Sequence, residues 1–163
     1  MGTLYFMSIT IFICYMTASI IAFGIPKSIS DTYYQWEDKS LNLGILFTSF
    51  IWGMTFPLMI VWIEALPNDW NFVPFIACSS LMFVGTAAAF KMPLTKEVHF
   101  TSAIIAAIAS YTWSFAYGST EIAFVSFLLP IIAIFMDKNK DNKIFWLELG
   151  AFVNMYMQLS VLI

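Results

Sequence analysis

Residues 25–34, IPKSISDTYY, end the first apolar run of the chain. They bring together a proline, two serines, an aspartate and two tyrosines in a sequence that otherwise has few polar groups. Pro26 disfavours helix in the residue before it, so the first helix is expected to end there. The pattern predicts a hydrophobic helix over residues 4–25, followed by a polar loop over residues 27–40 that forms one wall of a pocket at a membrane surface.

The composition of the whole chain is typical of a membrane protein. Of 163 residues, 61% are hydrophobic and only 10% are charged, whereas soluble domains carry about 25% charged residues. So few charges cannot cover a water-facing surface, and most of the surface is therefore expected to face lipid. Open sheets would leave edge groups unpaired in lipid, and the apolar runs are too long and unalternating for a barrel. We therefore predict an all-α fold.

Prolines and short polar stretches divide the chain into six apolar segments. At about 20 residues per helical crossing, this length leaves room for short connections and for no separate soluble domain. The sequence thus predicts an integral membrane bundle of six transmembrane helices with short loops, a single domain over residues 1–163. It would lie in a bacterial inner membrane or an organelle membrane. The predicted spans are residues 4–25, 41–63, 72–90, 98–117, 121–136 and 144–163.

The lysines are distributed unevenly over the connections. All of them, at positions 27, 39, 91, 96, 138, 140 and 143, fall in the first, third and fifth connections. Lysine-bearing loops stay cytoplasmic, which predicts both termini on the other side. With six spans, the end of the first and the starts of the fourth and sixth lie at one membrane face. Ser30, Asp31, His99 and Glu148 are therefore expected at the same surface.

Two ionisable side chains lie at the beginnings of predicted spans. Glu148 is costly on a lipid face and is expected to turn towards a partner or a wet cavity, or else to stabilise the start of its helix. His99 is the only histidine. It is either a functional group of the pocket or a residue that only forms a hydrogen bond at the membrane interface. It begins a stripe of small side chains that is typical of a packing seam between membrane helices, formed by Ser102, Ala103, Ala106, Ser110, Ser114 and Tyr117.

These groups allow two kinds of chemistry besides a plain turn at residues 28–31. Ser30 as nucleophile, His99 as base and Asp31 or Glu148 as orienting acid would form a catalytic set of a lipid hydrolase or acyltransferase. One histidine with two carboxylates would also resemble a metal-binding set. However, no HExxH, GxSxG or CxxC motif is present, and a single histidine excludes a haem held between two. We expect no metal and no cofactor.

The expected partner is a membrane lipid. Nucleic acid is excluded as a partner because the chain has no arginine and a net charge of −3, whereas nucleic-acid binding needs a basic surface. The alternative function is that of a non-catalytic subunit that packs against other membrane proteins or forms a homo-oligomer. Besides the catalytic candidates, the residues expected to contact a lipid are Lys27, Ser28, Tyr33, Tyr34, Ser102 and Asn154.

Three short motifs resemble the DRAM/Sfk-type family of six-span proteins, which includes autophagy modulators and factors that remodel lipids on GPI anchors. Members carry a P-x-I-S-D/E-T-G-like stretch after the first span, and residues 26–32 read PKSISDT. Residues 98–103, VHFTSA, are similar to the family's V-H-x-x-G-A, and Trp146-Leu147-Glu148 resembles its aromatic–glutamate pair in shifted form. Tyr33 and Ser102 stand where the family has glycines. Small bacterial six-span proteins look similar. The resemblance implies lipid-associated work, with the termini in the cytosol, opposite to the lysine pattern.

Overall fold

The computed structural model of the chain is all-α, as predicted. It describes residues 1–40, 42–66, 68–87 and 93–163, with the side chains of residues 68, 93–96 and 140 excepted, and these ranges contain seven α-helices and no strand. Short 3-10 turns, Asn68–Trp70 and Lys140–Asn142, precede the fourth and seventh helices. The helices are α1 (Gly2–Phe23), α2 (Thr32–Lys39), α3 (Ile45–Glu64), α4 (Phe72–Ala87), α5 (Pro93–Ala116), α6 (Thr120–Met136) and α7 (Lys143–Leu162).

Six of these helices correspond to the six predicted apolar segments. The first ends two residues earlier than expected because Gly24 leaves the helical conformation with a φ of 79°, which glycine adopts without steric cost. α5 begins five residues earlier than predicted, at Pro93, since proline is tolerated in the first turn of a helix. The predicted span boundaries at residue 41 and at residues 88–90 lie outside the described residues.

The connection over residues 27–40, predicted as a loop, contains the helix α2. This helix buries one face against α1. Trp36 Nε1 donates a hydrogen bond to Ser19 Oγ at 3.0 Å, and the rings of Trp36 and Phe23 form an edge-to-face pair with centroids 4.9 Å apart. Thr32 and Tyr33 are also buried, while Tyr34 points outwards. The prediction of a loop was wrong because the aromatic side chains of this segment find partners outside it, Trp36 on α1 and Tyr33 on Phe47 of α3.

Consecutive long helices pack against each other, and α7 closes the bundle. α1 packs on α3, α3 on α4, α4 on α5 and α6 on α7, while α5 also contacts α7. At one end, the Phe145 N–H donates to Lys27 O at 3.0 Å, and His99 Nδ1 lies 3.1 Å from Val84 O. The end of α1, the end of α4 and the starts of α5 and α7 therefore meet there. We call it the lysine end, since it carries Lys27 and Lys143.

The far halves of α5, α6 and α7 are joined by polar side chains. Asn154 Nδ2 donates to Ser114 Oγ at 2.7 Å, and Ser126 Oγ donates to Asn154 Oδ1 at 2.9 Å. The Gln158 amide brackets the backbone of Ser119, accepting from its N–H and donating to its carbonyl, both at 2.7 Å. These contacts fix α7 against the α5–α6 turn at the end opposite the lysines.

The outer surface of the bundle is strongly apolar. α1, α3 and α7 are long and apolar enough to cross a membrane, and α4 and α6 are apolar but shorter. α6 buries only Ala123, Ser126 and Pro130. Exposed apolar surface of this extent is unusual on a soluble monomer and marks a membrane or protein contact. The large exposed apolar residues of α6 are Phe124, Val125, Phe127, Leu128, Leu129, Ile132, Phe135 and Met136.

Candidate functional site

A cavity of about 370 Å³ opens at the lysine end, between the loop after α1 and the helices α3, α4, α5 and α7. Its polar rim is formed by Ser28, Ser30, His99 and Glu148. Ser30, His99 and Glu148 come from three distant parts of the sequence and were expected at one surface from the number of predicted spans, whereas Asp31, expected with them, does not line the cavity. The structure therefore places the loop, the only histidine and the glutamate of α7 around one space.

The loop at the rim is attached to α7 by two hydrogen bonds. The Ile29 N–H donates to Glu148 Oε2 at 2.5 Å, and the Phe145 N–H donates to Lys27 O at 3.0 Å. Ile29 is 2% exposed, so its amide relies on the carboxylate rather than on water. Glu148 thus holds the loop in place and also lines the cavity.

The two serines of the rim share a hydrogen bond and leave one hydroxyl proton free. Their Oγ atoms are 3.1 Å apart, and Ser28 Oγ also accepts the Asp31 N–H at 3.0 Å. Each hydroxyl has one proton to donate. Whichever serine donates to the other, the second keeps its own proton. Among the described contacts that proton has no acceptor, so it is available to a molecule in the cavity.

His99 is oriented by the end of α4. Its Nδ1 lies 3.1 Å from the carbonyl oxygen of Val84. A carbonyl only accepts, so Nδ1 carries the proton in this contact, and Nε2 of the neutral ring is then an acceptor. The rim therefore offers one hydroxyl donor together with two acceptors, His99 Nε2 and the Glu148 carboxylate.

The interior of the cavity is almost entirely apolar. Small side chains of α4 and α5 line it, and larger ones from α3 and α7 close it. The polar exception is Ser110, which lies eleven residues beyond His99 on α5, or roughly 16 Å along the helix. Ser110 is 4% exposed, and its Oγ has no hydrogen-bond partner among the described residues. The apolar lining includes Phe47, Ile51, Ala77, Leu81, Ala103 and Ala106.

The stripe of small residues on α5 serves two purposes. Ser114 packs against α7 through Asn154, as expected of a seam. Ala103, Ala106 and Ser110 instead line the cavity. Ser110 is the residue that sequence reasoning did not single out for the site. Its position on the same helical stripe as His99 was the available signal.

The remaining predicted site residues do not line this cavity. Asp31 precedes α2, where its Oδ2 accepts from Gln35 Nε2 at 3.3 Å. Lys27 and Tyr34 are exposed, and Tyr33 is buried. Ser102 is buried on α5, and the Asn154 amide is occupied by Ser114 and Ser126.

The described contacts do not connect the predicted catalytic set into a relay. Ser30 Oγ bonds to Ser28, and His99 bonds to a backbone carbonyl. Asp31 bonds to Gln35, and Glu148 bonds to the Ile29 amide. Within the residues that the structure describes, no three His, Cys, Asp or Glu side chains come together as metal ligands.

Comparisons of the chain with protein-family models, with curated proteins and with solved structures give no match.

Proposed function

We propose that this chain is a six-span integral membrane protein that binds a lipid in the cavity at its lysine end. The polar rim would hold the headgroup, and the apolar interior would hold an aliphatic chain. The observation that carries the proposal is a single cavity with all its ionisable described groups at the mouth and apolar walls below. Its volume of about 370 Å³ falls within the range of about 300–1,000 Å³ that is usual for small-ligand sites.

A membrane location is supported by the outer surface. α1, α3 and α7 have the length and hydropathy of spanning helices. α5 has 24 residues, so it has the length of a crossing but is less apolar than α1, α3 and α7. α4 and α6 would complete the six passes. The DRAM/Sfk-type resemblance, which implies lipid-associated work in a six-span protein, agrees with this proposal.

Binding is favoured over catalysis by the hydrogen bonds at the rim. For acyl transfer or hydrolysis, Ser30 Oγ would have to give its proton to His99 Nε2, a contact that the structure does not contain. The catalytic roles of Ser30, His99, Asp31 and Glu148 therefore remain predictions, and the proposed function is lipid binding.

Filling the cavity tests this function. Ala103 lines the cavity one helical turn below His99, so Ala103→Phe places a ring in the space that the chain of the lipid would occupy. Ile105 is 40% exposed and does not line the cavity, so Ile105→Phe is the matched control. The two proteins and the unmodified chain would be purified in dodecyl maltoside, and bound lipid would be measured by native mass spectrometry.

We expect bound lipid in the unmodified protein and in Ile105→Phe, and its loss in Ala103→Phe at unchanged thermal stability. Lipid retained equally by all three proteins would show that it binds the outer surface rather than the cavity. Absence of lipid from all three, also after incubation with extracted membrane lipids, would contradict the proposal.

A further inference from the structure

We propose that the lipid taken by this cavity carries a protonated amine on a single aliphatic chain, with Glu148 as its counter-charge. This inference rests on the proposed function and adds the chemical class of the ligand. It follows from the charge at the rim, the hydrogen-bonding capacity there and the size of the interior.

The rim carries an acid that no described cation accompanies. Of the described residues that line the cavity, only Glu148 and His99 are ionisable. Lys27 and Lys143 are exposed and do not line the cavity, and no described lysine side chain pairs with Glu148. Among the side chains that the structure describes, a phosphate or carboxylate head would meet this acid without a compensating cation. A cation would meet its counter-ion.

The hydrogen bonds at the rim favour the same ligand. One oxygen of Glu148 takes the Ile29 N–H, and a carboxylate has further lone pairs to offer. With His99 Nε2, the rim therefore offers more acceptors than donors. An alkylammonium group has three N–H donors. A hydrogen bond between ionised partners is about twice as strong as one between neutral groups, so the amine would gain more here than an alcohol.

The interior is suited to one aliphatic chain. Alanines from α4 and α5 line it, and its volume of about 370 Å³ lies near the lower limit for small-ligand sites. A two-chain lipid would have to leave one chain outside. An aliphatic chain offers no hydrogen-bond partner to Ser110 Oγ at the inner end, so an ordered water beside the chain would have to supply it.

The experiment compares head groups on one chain length. The full-length protein in dodecyl maltoside is titrated with tetradecylamine, N-tetradecylacetamide, tetradecanol and tetradecanoate. Thermal unfolding is followed by tryptophan fluorescence, and apparent Kd values are obtained from the stabilisation at each ligand concentration. Glu148→Gln removes the charge and keeps an acceptor for the Ile29 N–H. Lysophosphatidylethanolamine, which has the same amine beside a phosphate, distinguishes a phospholipid headgroup from a free long-chain amine.

We expect tetradecylamine to bind roughly tenfold or more tightly than its acetylated form and the alcohol, which is the gain of one charged hydrogen bond. Tetradecanoate should bind most weakly, and Glu148→Gln should abolish the preference for the amine while keeping binding of the alcohol. Equal binding of amine and acetamide by the unmodified chain would overturn the amine assignment even if Glu148→Gln does not fold. Tightest binding of tetradecanoate, or a preference that survives Glu148→Gln, would also overturn it and leave lipid binding intact. Failure of all the probes to bind would instead contradict the proposed function.

Discussion

Replacing Glu148 with alanine is expected to release the loop at the cavity rim from α7. The Ile29 N–H donates to Glu148 Oε2 at 2.5 Å. Ile29 is 2% exposed, so this amide cannot turn to water while the loop stays in place. The second described bond between the loop and α7, from the Phe145 N–H to Lys27 O, would remain. The alanine variant therefore loses one of two attachments and leaves a buried donor without a partner.

The size of the effect follows from the type of bond. A hydrogen bond to a charged group contributes about 1.5–3 kcal/mol to stability. Since about 1.4 kcal/mol corresponds to a factor of ten, local opening of the loop should become roughly 10- to 150-fold more frequent. Glu148→Gln retains an acceptor and avoids burying a charge, so its effect should stay within about 1 kcal/mol.

Amide hydrogen exchange measured by mass spectrometry reports this opening on the peptide that covers residues 25–32. Faster exchange is expected there in Glu148→Ala, with little change in Glu148→Gln. Glu121 is an exposed carboxylate at the start of α6, at the opposite end of the bundle, so Glu121→Ala is the control and should leave this peptide unchanged. Exchange in Glu148→Ala within twofold of the unmodified protein would refute the anchoring role of the carboxylate.

Two further predictions concern the bundle itself. Asn154→Leu removes two interhelical hydrogen bonds, to Ser114 and Ser126. It should lower the free energy of unfolding in detergent by about 1–2 kcal/mol, and an unchanged unfolding curve would show that this network adds no stability. With six spans, Lys138→Cys in a chain without its own cysteines should react with a membrane-impermeant maleimide from the cytoplasmic side, and Gly2→Cys from the other side; labelling of both from one side would contradict six spans.

Most helix positions could be predicted because hydropathy and prolines act locally. Residues 121–136 were predicted as a span, and α6 is Thr120–Met136. α2 could not be predicted in the same way. It contains acids and is flanked by serines, and both residue types favour turns. The face that it buries is defined by the contacts of Trp36 with Ser19 and Phe23 of α1. Long-range partners of this kind leave no signal in the local pattern.

The sequence predicted which helix ends meet at the candidate site, but it predicted few of the individual contacts there. Treating the six consecutive apolar segments as helices that alternate in direction was sufficient to bring His99 and Glu148 to one end. It could not show that Glu148 binds a backbone amide, because a main-chain donor has no sequence signature. Nor could it fix helix rotation, which turns Asn154 towards Ser114 and away from the cavity. These details depend on packing angles between helices.

We assign two roles to Glu148, one shown by its hydrogen bond to the Ile29 N–H and one proposed, and replacement with glutamine or alanine should separate them. Its attachment to Ile29 needs only an acceptor, whereas attraction of an amine needs a negative charge. Glutamine would keep the first role and lose the second, while alanine would lose both. If both roles are real, the two variants differ in loop exchange but have the same weak preference for amines. If Glu148 only anchored the loop, Glu148→Gln would bind every probe as the unmodified chain does. The pair of variants thus distinguishes a carboxylate that only anchors the loop from one that also pairs with the positive charge of the ligand.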